Sequence, residues 1–168
     1  MSAARWLGMS SRVVMWLAGH QEVRIDVTGA GGHGARLTVS WEVAQLSFTA
    51  ADQVATMAGA LREMGGFTAV LPQAVHPRVV HGRAEQVGPL PVAMVTFAEP
   101  HEVRGVPGKM DPEDGDARWV DLETGYLVLR LFDRAALASL VTALNRAEEI
   151  ARVTLAPTSV GHAAHWVG

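Results

Sequence analysis

Four of the seven histidines in the chain fall into two similar pairs. Neutral imidazoles are good ligands for zinc, iron or nickel, and a nearby carboxylate could complete such a site. The spacings within the pairs match no metal-binding motif, so hydrogen-bonded or solvated loop histidines are the favoured interpretation. The sequence therefore predicts no cofactor. A divalent metal is kept as the alternative, with these ligands: His76, His81, His162 and His165.

Two arginines occupy matched places in a repeated Glu-Val-Arg block. Arg24 ends the first block and Arg104 ends the second. Their guanidinium groups could line a shared pocket for an anion, although opposite charges on neighbouring strands commonly form cross-strand pairs, which is the favoured interpretation. Tryptophan is enriched at binding hot spots, but in strands it more often fills the core. Trp41 and Trp119 are therefore candidate partner contacts, together with the two arginines.

Residue types and spacing argue against several other chemistries. The chain has no cysteine, which excludes disulfides and thiolate chemistry. Its serines lack the glycine spacing of a nucleophile elbow. The glycine-rich segment 29–34 joins two predicted strands instead of opening a helix, so it does not have the context of a phosphate-binding loop. The acidic segment 111–116 has Leu122 where a calcium loop needs glutamate. A net charge of -3 argues against nucleic-acid binding.

The periodicity of apolar residues predicts the elements that would position these side chains. Thr49 and Asp52 resemble a capping box, and Asp133 is a preferred N-cap residue, so each is expected at the start of a helix. A change in apolar phase predicts a bulge at Ala44 and Gln45. The predicted helices cover 49–64 and 133–149, and the predicted strands cover 12–18, 22–28, 36–43, 67–71, 126–132 and 152–156.

The two halves of the chain follow the same order of blocks. The Glu-Val-Arg block at 22–24 recurs at 102–104, and the two predicted helices align so that Val54 matches Leu137 and Leu61 matches Leu144. A unit of a few strands and one helix cannot bury its apolar face alone, whereas two units can cover each other. The chain is therefore predicted to be one domain, 1–168, of two diverged tandem repeats at about 12–82 and 92–168, joined by 83–91.

These features together predict an α+β fold, in which the repeats form an antiparallel sheet layer with two main helices packed on one side. Arg12 interrupts the apolar N-terminal run, so no membrane span is expected. We expect a cytoplasmic protein, and the bias towards arginine over lysine suggests a high-GC bacterial or phage genome. Two functions stay open. The first, favoured because no catalytic constellation is evident, is a non-catalytic binding or regulatory protein that acts through protein–protein contacts or self-association, with a homodimer included. The second is a small metal-dependent enzyme or small-molecule-binding protein with its site between the repeats.

Overall fold

The computed structural model describes residues 13–32, 34–42, 44–75, 93–97, 102–109, 118–125 and 127–157. These residues form two helices and two four-stranded sheets, which confirms the predicted α+β class. The helices are α1 (Ala51–Glu63), which continues into a 3-10 turn at Met64–Phe67, and α2 (Arg134–Thr154). The strands are β1 (Val13–Leu17), β2 (Arg24–Thr28), β3 (Arg36–Trp41), β4 (Ala44–Phe48), β5 (Ala93–Phe97), β6 (Val103–Lys109), β7 (Arg118–Thr124) and β8 (Leu127–Leu131).

Each sheet is a three-stranded antiparallel meander with one parallel strand added. Sheet 1 has the order β1-β8-β7-β6, and sheet 2 has the order β5-β4-β3-β2. Strand β1 lies parallel to β8, and β5 lies parallel to β4. Both sheets are therefore mixed, whereas the sequence led us to expect antiparallel pairing throughout. The parallel pairs arise because each half of the chain places its first strand in the sheet formed by the other half.

The strand registers of the two sheets correspond. Val13 pairs with Leu127 at the start of the parallel pair in sheet 1, and Ala93 pairs with Ala44 at the same place in sheet 2. The alignment of the two Glu-Val-Arg blocks also matches Val13 with Ala93, and the alignment of the two helices also matches Ala44 with Leu127. A duplication would produce this correspondence. The duplication itself stays a prediction.

The helices pack on each other and on both sheets. Helix α1 follows the last strand of the sheet 2 meander but contacts β6 of sheet 1, and α2 follows the last strand of the sheet 1 meander but contacts β2 and β3 of sheet 2. Alternate residues of the strands face this helical layer, as in Leu37, Val39 and Trp41 of β3, and all three are buried. One cluster of buried apolar side chains therefore includes residues from both sheets and both helices. Neither described helix has the length and apolar character needed to cross a bilayer.

The helix starts explain one correct prediction and one wrong one. Asp133 is the N-cap of α2 and accepts a hydrogen bond from the Ala136 amide at 2.8 Å, which confirms its predicted role. The N-cap of α1 is Ala50, and Thr49 is not the cap. The Gln53 side-chain oxygen instead accepts hydrogen bonds from the amides of Thr49 and Ala50, at 3.0 and 3.2 Å.

Two predicted strands and the predicted bulge are wrong. Segment 67–71 forms turns after α1, and segment 152–156 is mostly the last turn of α2, whose buried face continues through Ala147 and Ala151. The phase change near Ala44 comes from a tight hairpin turn, because Trp41 pairs directly with Ala44. The other four predicted strands are present, with shorter bounds.

Candidate functional site

The four histidines predicted as metal ligands, His76, His81, His162 and His165, lie outside the described residues, so the metal site stays a prediction. Among the residues that the structure does describe, no three His, Cys, Asp or Glu side chains are close enough to hold a metal ion.

The two matched arginines lie in different sheets. Arg24 is exposed on β2 of sheet 2, where it stands opposite Ser40. Arg104 is on β6 of sheet 1, and its guanidinium donates to the Glu123 carboxylate of the adjacent strand at 2.9 Å. The predicted cross-strand ion pair is therefore present at Arg104, and the structure does not bring the two arginines together in one pocket.

The two tryptophans proposed as partner contacts also differ in position. Trp41 is a core residue with 6% of its surface exposed. Trp119 is half-buried on the outer face of sheet 1, where its indole lies against Gly108 and a Cβ at Gly108 would overlap the ring. The guanidinium carbon of Arg130 lies 4.5 Å from the Trp119 ring centroid, a cation–π distance. Arg130 also forms two hydrogen bonds of 2.8 Å with Asp121, and these raise the pKa of the guanidinium above its usual value.

Strand β1 adds exposed apolar area to this face. Val14 and Trp16 are 47% and 43% exposed, and the Trp16 ring centroid lies 5.8 Å from that of Phe132. Phe132 in turn contacts Trp119, with ring centroids 6.2 Å apart. The outer face of sheet 1 therefore carries a small aromatic cluster with a paired arginine at its side.

A concave feature among the described residues is a groove of about 670 Å³, which we call the β2–α2 groove. One wall is formed by residues 20–23 and Ile25, and the other is one face of α2 from Ala135 to Ile150. These helix residues span about 22 Å at 1.5 Å per residue, so the groove is long as well as open. The two walls come from the two predicted repeats.

Hydrogen bonds fix the first wall to the helix. The Gly19 amide donates to the Asp133 carboxylate at 2.7 Å, and the Gln21 amide donates to the Ser139 hydroxyl at 3.1 Å. The Gln21 side chain donates to the carbonyls of Ala18 and Gly19 and closes this short turn on itself. Gly19 has a φ of +75°, which a residue with a side chain rarely adopts. The chain therefore enters β2 at a defined place beside the start of α2.

The strand beside the groove carries a large side chain where its counterpart in the other half carries none. Ile25 of β2 corresponds to Gly105 of β6 when the two Glu-Val-Arg blocks are aligned. At Gly105 the strand approaches α1 so closely that a Cβ would overlap Met64. The position that corresponds to Met64 in α2 is Ala147. Met64 thus occupies the space beside Gly105 at the β6–α1 junction, whereas Ile25 lines the groove between β2 and α2, and Ala147 is buried in the core.

The polar groups of the groove suit binding better than bond breaking. The Ser139 hydroxyl donates to the carbonyl of Ala135 or Ala136 at 2.9 Å and accepts from Gln21, so it is not poised as a nucleophile. Glu22 and Arg146 have no ion-pair partner among the described residues. Strand β2 pairs on one side only in the described part of the chain, with β3, and is an edge of sheet 2. The groove thus lies beside an edge strand and carries two opposite charges.

The residues predicted from the sequence as site residues did not include Glu22, Arg146, Ser139 or Ile25. One signal could have indicated the second wall. Helix α2 has a second stripe of small residues at helical spacing, beside its buried leucines: Ala135, Ala138, Ser139, Thr142 and Ala143. The first wall had no such signal.

The fold and the site define a class of protein: an α+β protein with two mixed sheets and a groove, the β2–α2 groove, beside an edge strand. No family model matches the chain, and no curated protein or solved structure is significantly similar to it.

Proposed function

We propose that this protein is a non-catalytic binding protein that takes an extended segment of a partner protein into the β2–α2 groove, where the segment adds a strand to the edge of sheet 2. The single observation that carries the proposal is the position of the groove, which runs between a helix and an edge strand with one side unpaired in the described part of the chain. Strand addition beside a helix is a recurring way of binding peptides.

The edge of β2 supplies the affinity in this proposal. An edge strand presents unpaired N–H and C=O groups, and a partner strand that pairs with them gains main-chain hydrogen bonds in regular order. Ile25 of this strand and Val23, just before it, line the groove, and Ile150 lines it from the helix. Alternate side chains of the added segment would therefore meet apolar surface, while the others remain in solvent.

The shape of the groove favours a chain segment over a small molecule. Sites for small ligands usually enclose most of the ligand surface. The β2–α2 groove is open along about 22 Å of helix, a length that matches six or seven extended residues. The metal-dependent alternative rests on the four histidines that lie outside the described residues, and nothing in the groove favours it.

The test uses one substitution that blocks the groove and a matched substitution on another helix surface as the control. Thr142 is exposed on α2 and lines the groove, and Thr56 is exposed on α1; each hydroxyl donates to the carbonyl four residues earlier, at 2.9 and 2.8 Å. Thr142→Trp and Thr56→Trp therefore make the same change to two similar helix surfaces. Random nine-residue peptides displayed on phage are selected against the full chain, and the affinities of the enriched peptides are then measured by fluorescence anisotropy.

We expect Thr142→Trp to weaken peptide binding at least about 10-fold, which corresponds to about 1.4 kcal/mol, and Thr56→Trp to leave it unchanged. Peptides with N-methyl groups at alternate amides should also bind more weakly, because they cannot pair fully with β2. Equal affinity of the selected peptides for wild type and Thr142→Trp would show that the groove is not the binding site.

A further inference from the structure

We infer that the β2–α2 groove selects a partner segment by charge and direction: an acidic side chain that pairs with Arg146, followed towards the C-terminus by a basic side chain that pairs with Glu22. This inference rests on the proposed function and names the chemistry of the partner. It comes from the two charges that line the groove, from their order along its axis, and from the direction in which an added strand would run.

Arg146 differs from the arginines around it. On the same helix, Arg134 donates to the Leu71 carbonyl at 2.8 Å, and Arg152 donates to the Glu148 carboxylate at 2.6 Å. Arg62 of α1 also pairs with Glu148, at 2.8 Å. Arg146 lines the groove and has no such partner within the described ranges. An exposed guanidinium in a groove binds a carboxylate well because its N–H groups match both carboxylate oxygens.

Glu22 lines the same groove, nearer the N-terminus of α2 than Arg146. The neighbouring Gln21 amide is bound to Ser139, so Glu22 enters the groove near that level of α2. Arg146 lies seven residues further along the helix, about 10 Å away along its axis. Side chains on one face of an extended strand are about 7 Å apart at a spacing of two residues and about 13 Å at four. Both charges can therefore be met by a single short segment.

The direction of the segment follows from strand pairing. The contacts of Gly19 with Asp133 and of Gln21 with Ser139 place the chain that leads into β2 beside the first turns of α2, and β2 itself contacts α2. Antiparallel pairs are slightly more stable per residue than parallel pairs, so a segment added to β2 should run the opposite way. It then passes Arg146 first and Glu22 second. The expected order from N- to C-terminus is acid before base.

The test uses two synthetic nine-residue peptides of the same composition. Both alternate valine and threonine; one carries glutamate four residues before lysine, and the other carries them in reversed order. Fluorescence anisotropy measures their affinity for the full-length wild type, for Arg146→Glu, for Glu22→Arg and for the double variant. Arg146 and Glu22 are both exposed, so the variants should fold, and circular dichroism checks this.

We expect the wild type to bind the acid-first peptide about 10-fold more tightly than the reversed one, the single variants to lose this preference, and the double variant to reverse it. Equal binding of both orders by the wild type, or a preference for base before acid, would overturn the inference. If both orders bind equally and Thr142→Trp abolishes the binding of both, the proposed function stands and the charge selection fails. If neither peptide binds the wild type, both the inference and the strand-addition proposal fail.

Discussion

Replacing Asp133 by alanine should cost this protein more stability than the loss of an ordinary helix cap. Asp133 is fully buried, and its carboxylate accepts three backbone hydrogen bonds. The donors are the amides of Gly19 at 2.7 Å, Val75 at 2.8 Å and Ala136 at 2.8 Å. This one side chain therefore joins the turn before β2, the segment after α1 and the start of α2.

The magnitude follows from these contacts. Hydrogen bonds to a charged group contribute about 1.5–3 kcal/mol each, so three of them sum to about 4–9 kcal/mol. Removing the carboxylate also relieves the desolvation of a buried charge, which offsets several kcal/mol of that sum. We expect a net loss of about 3 kcal/mol for Asp133→Ala, compared with about 1 kcal/mol for a typical N-cap. A loss of this size is a large part of the stability of an ordinary domain.

Urea unfolding at pH 7, followed by tryptophan fluorescence and circular dichroism, measures the loss. Gln53→Ala is the matched control, because Gln53 caps α1 with two neutral hydrogen bonds, and its side-chain nitrogen is buried without an acceptor among the described residues. The control should therefore lose less than about 1 kcal/mol. Amide exchange should accelerate at Gly19 and Val75 in Asp133→Ala and remain unchanged there in Gln53→Ala. If the two variants lose equal stability, Asp133 does not join the three segments in the way described.

Two further predictions concern the core and pH. Gly105→Ala should lower the free energy of unfolding by about 1–3 kcal/mol, because its Cβ overlaps Met64. The double variant with Met64→Ala should lose less than the sum of the two single losses, because the two residues are in contact. Urea unfolding of the wild type, the two single variants and the double variant measures this coupling, and additive losses would contradict the contact. Hydrogen bonds from Arg62, and then from Arg152, lower the pKa of the Glu148 carboxyl. The stability that the ionised carboxyl contributes to the fold is therefore present at neutral pH. It is lost as pH falls below the usual glutamate range and through the lowered pKa. Glu148→Gln should flatten this acid dependence in unfolding curves between pH 3 and 7, and an unchanged dependence would contradict the assignment.

Local sequence signals predicted both described helices and strands β1, β2, β3 and β8. Asp133 was recognised because aspartate at a helix start has a direct physical role. The end of α2 was missed for the opposite reason. Val153 and Thr154 are β-branched and suggested a strand, but Ala147 and Ala151 continue the buried face of the helix, and packing outweighs a weak propensity.

Segment 67–71 shows a second limit of local patterns. Its apolar residues suggested a strand, yet the Leu71 and Pro72 carbonyls accept hydrogen bonds from Arg134 instead of joining a sheet. Arg134 belongs to the other half of the chain, so no local pattern encodes this contact. The same holds for β1, because its partner β8 comes near the far end of the described sequence.

The groove was not predictable because it depends on this exchange of partners. Each helix packs on strands of the sheet formed by the other half, so the walls of a helix–strand junction come from distant parts of the sequence. The two junctions also differ in their residues. Met64 lies against Gly105 at one junction, whereas Ile25 lines the groove at the other.

This difference between the two junctions explains how two halves with corresponding strand pairings could carry one site. If both junctions were filled in the same way, neither edge strand would have a groove beside it; if both were open, the core would lose packing at two places instead of one. The large residue is on the helix in one half and on the strand in the other, and under the proposed function the second junction takes the partner segment. The position that corresponds to Arg146 in α1 is Glu63, so the charge of the filled junction differs as well. A partner segment selected by Arg146 would therefore meet a like charge at the corresponding place in the other half, which directs it to the open groove.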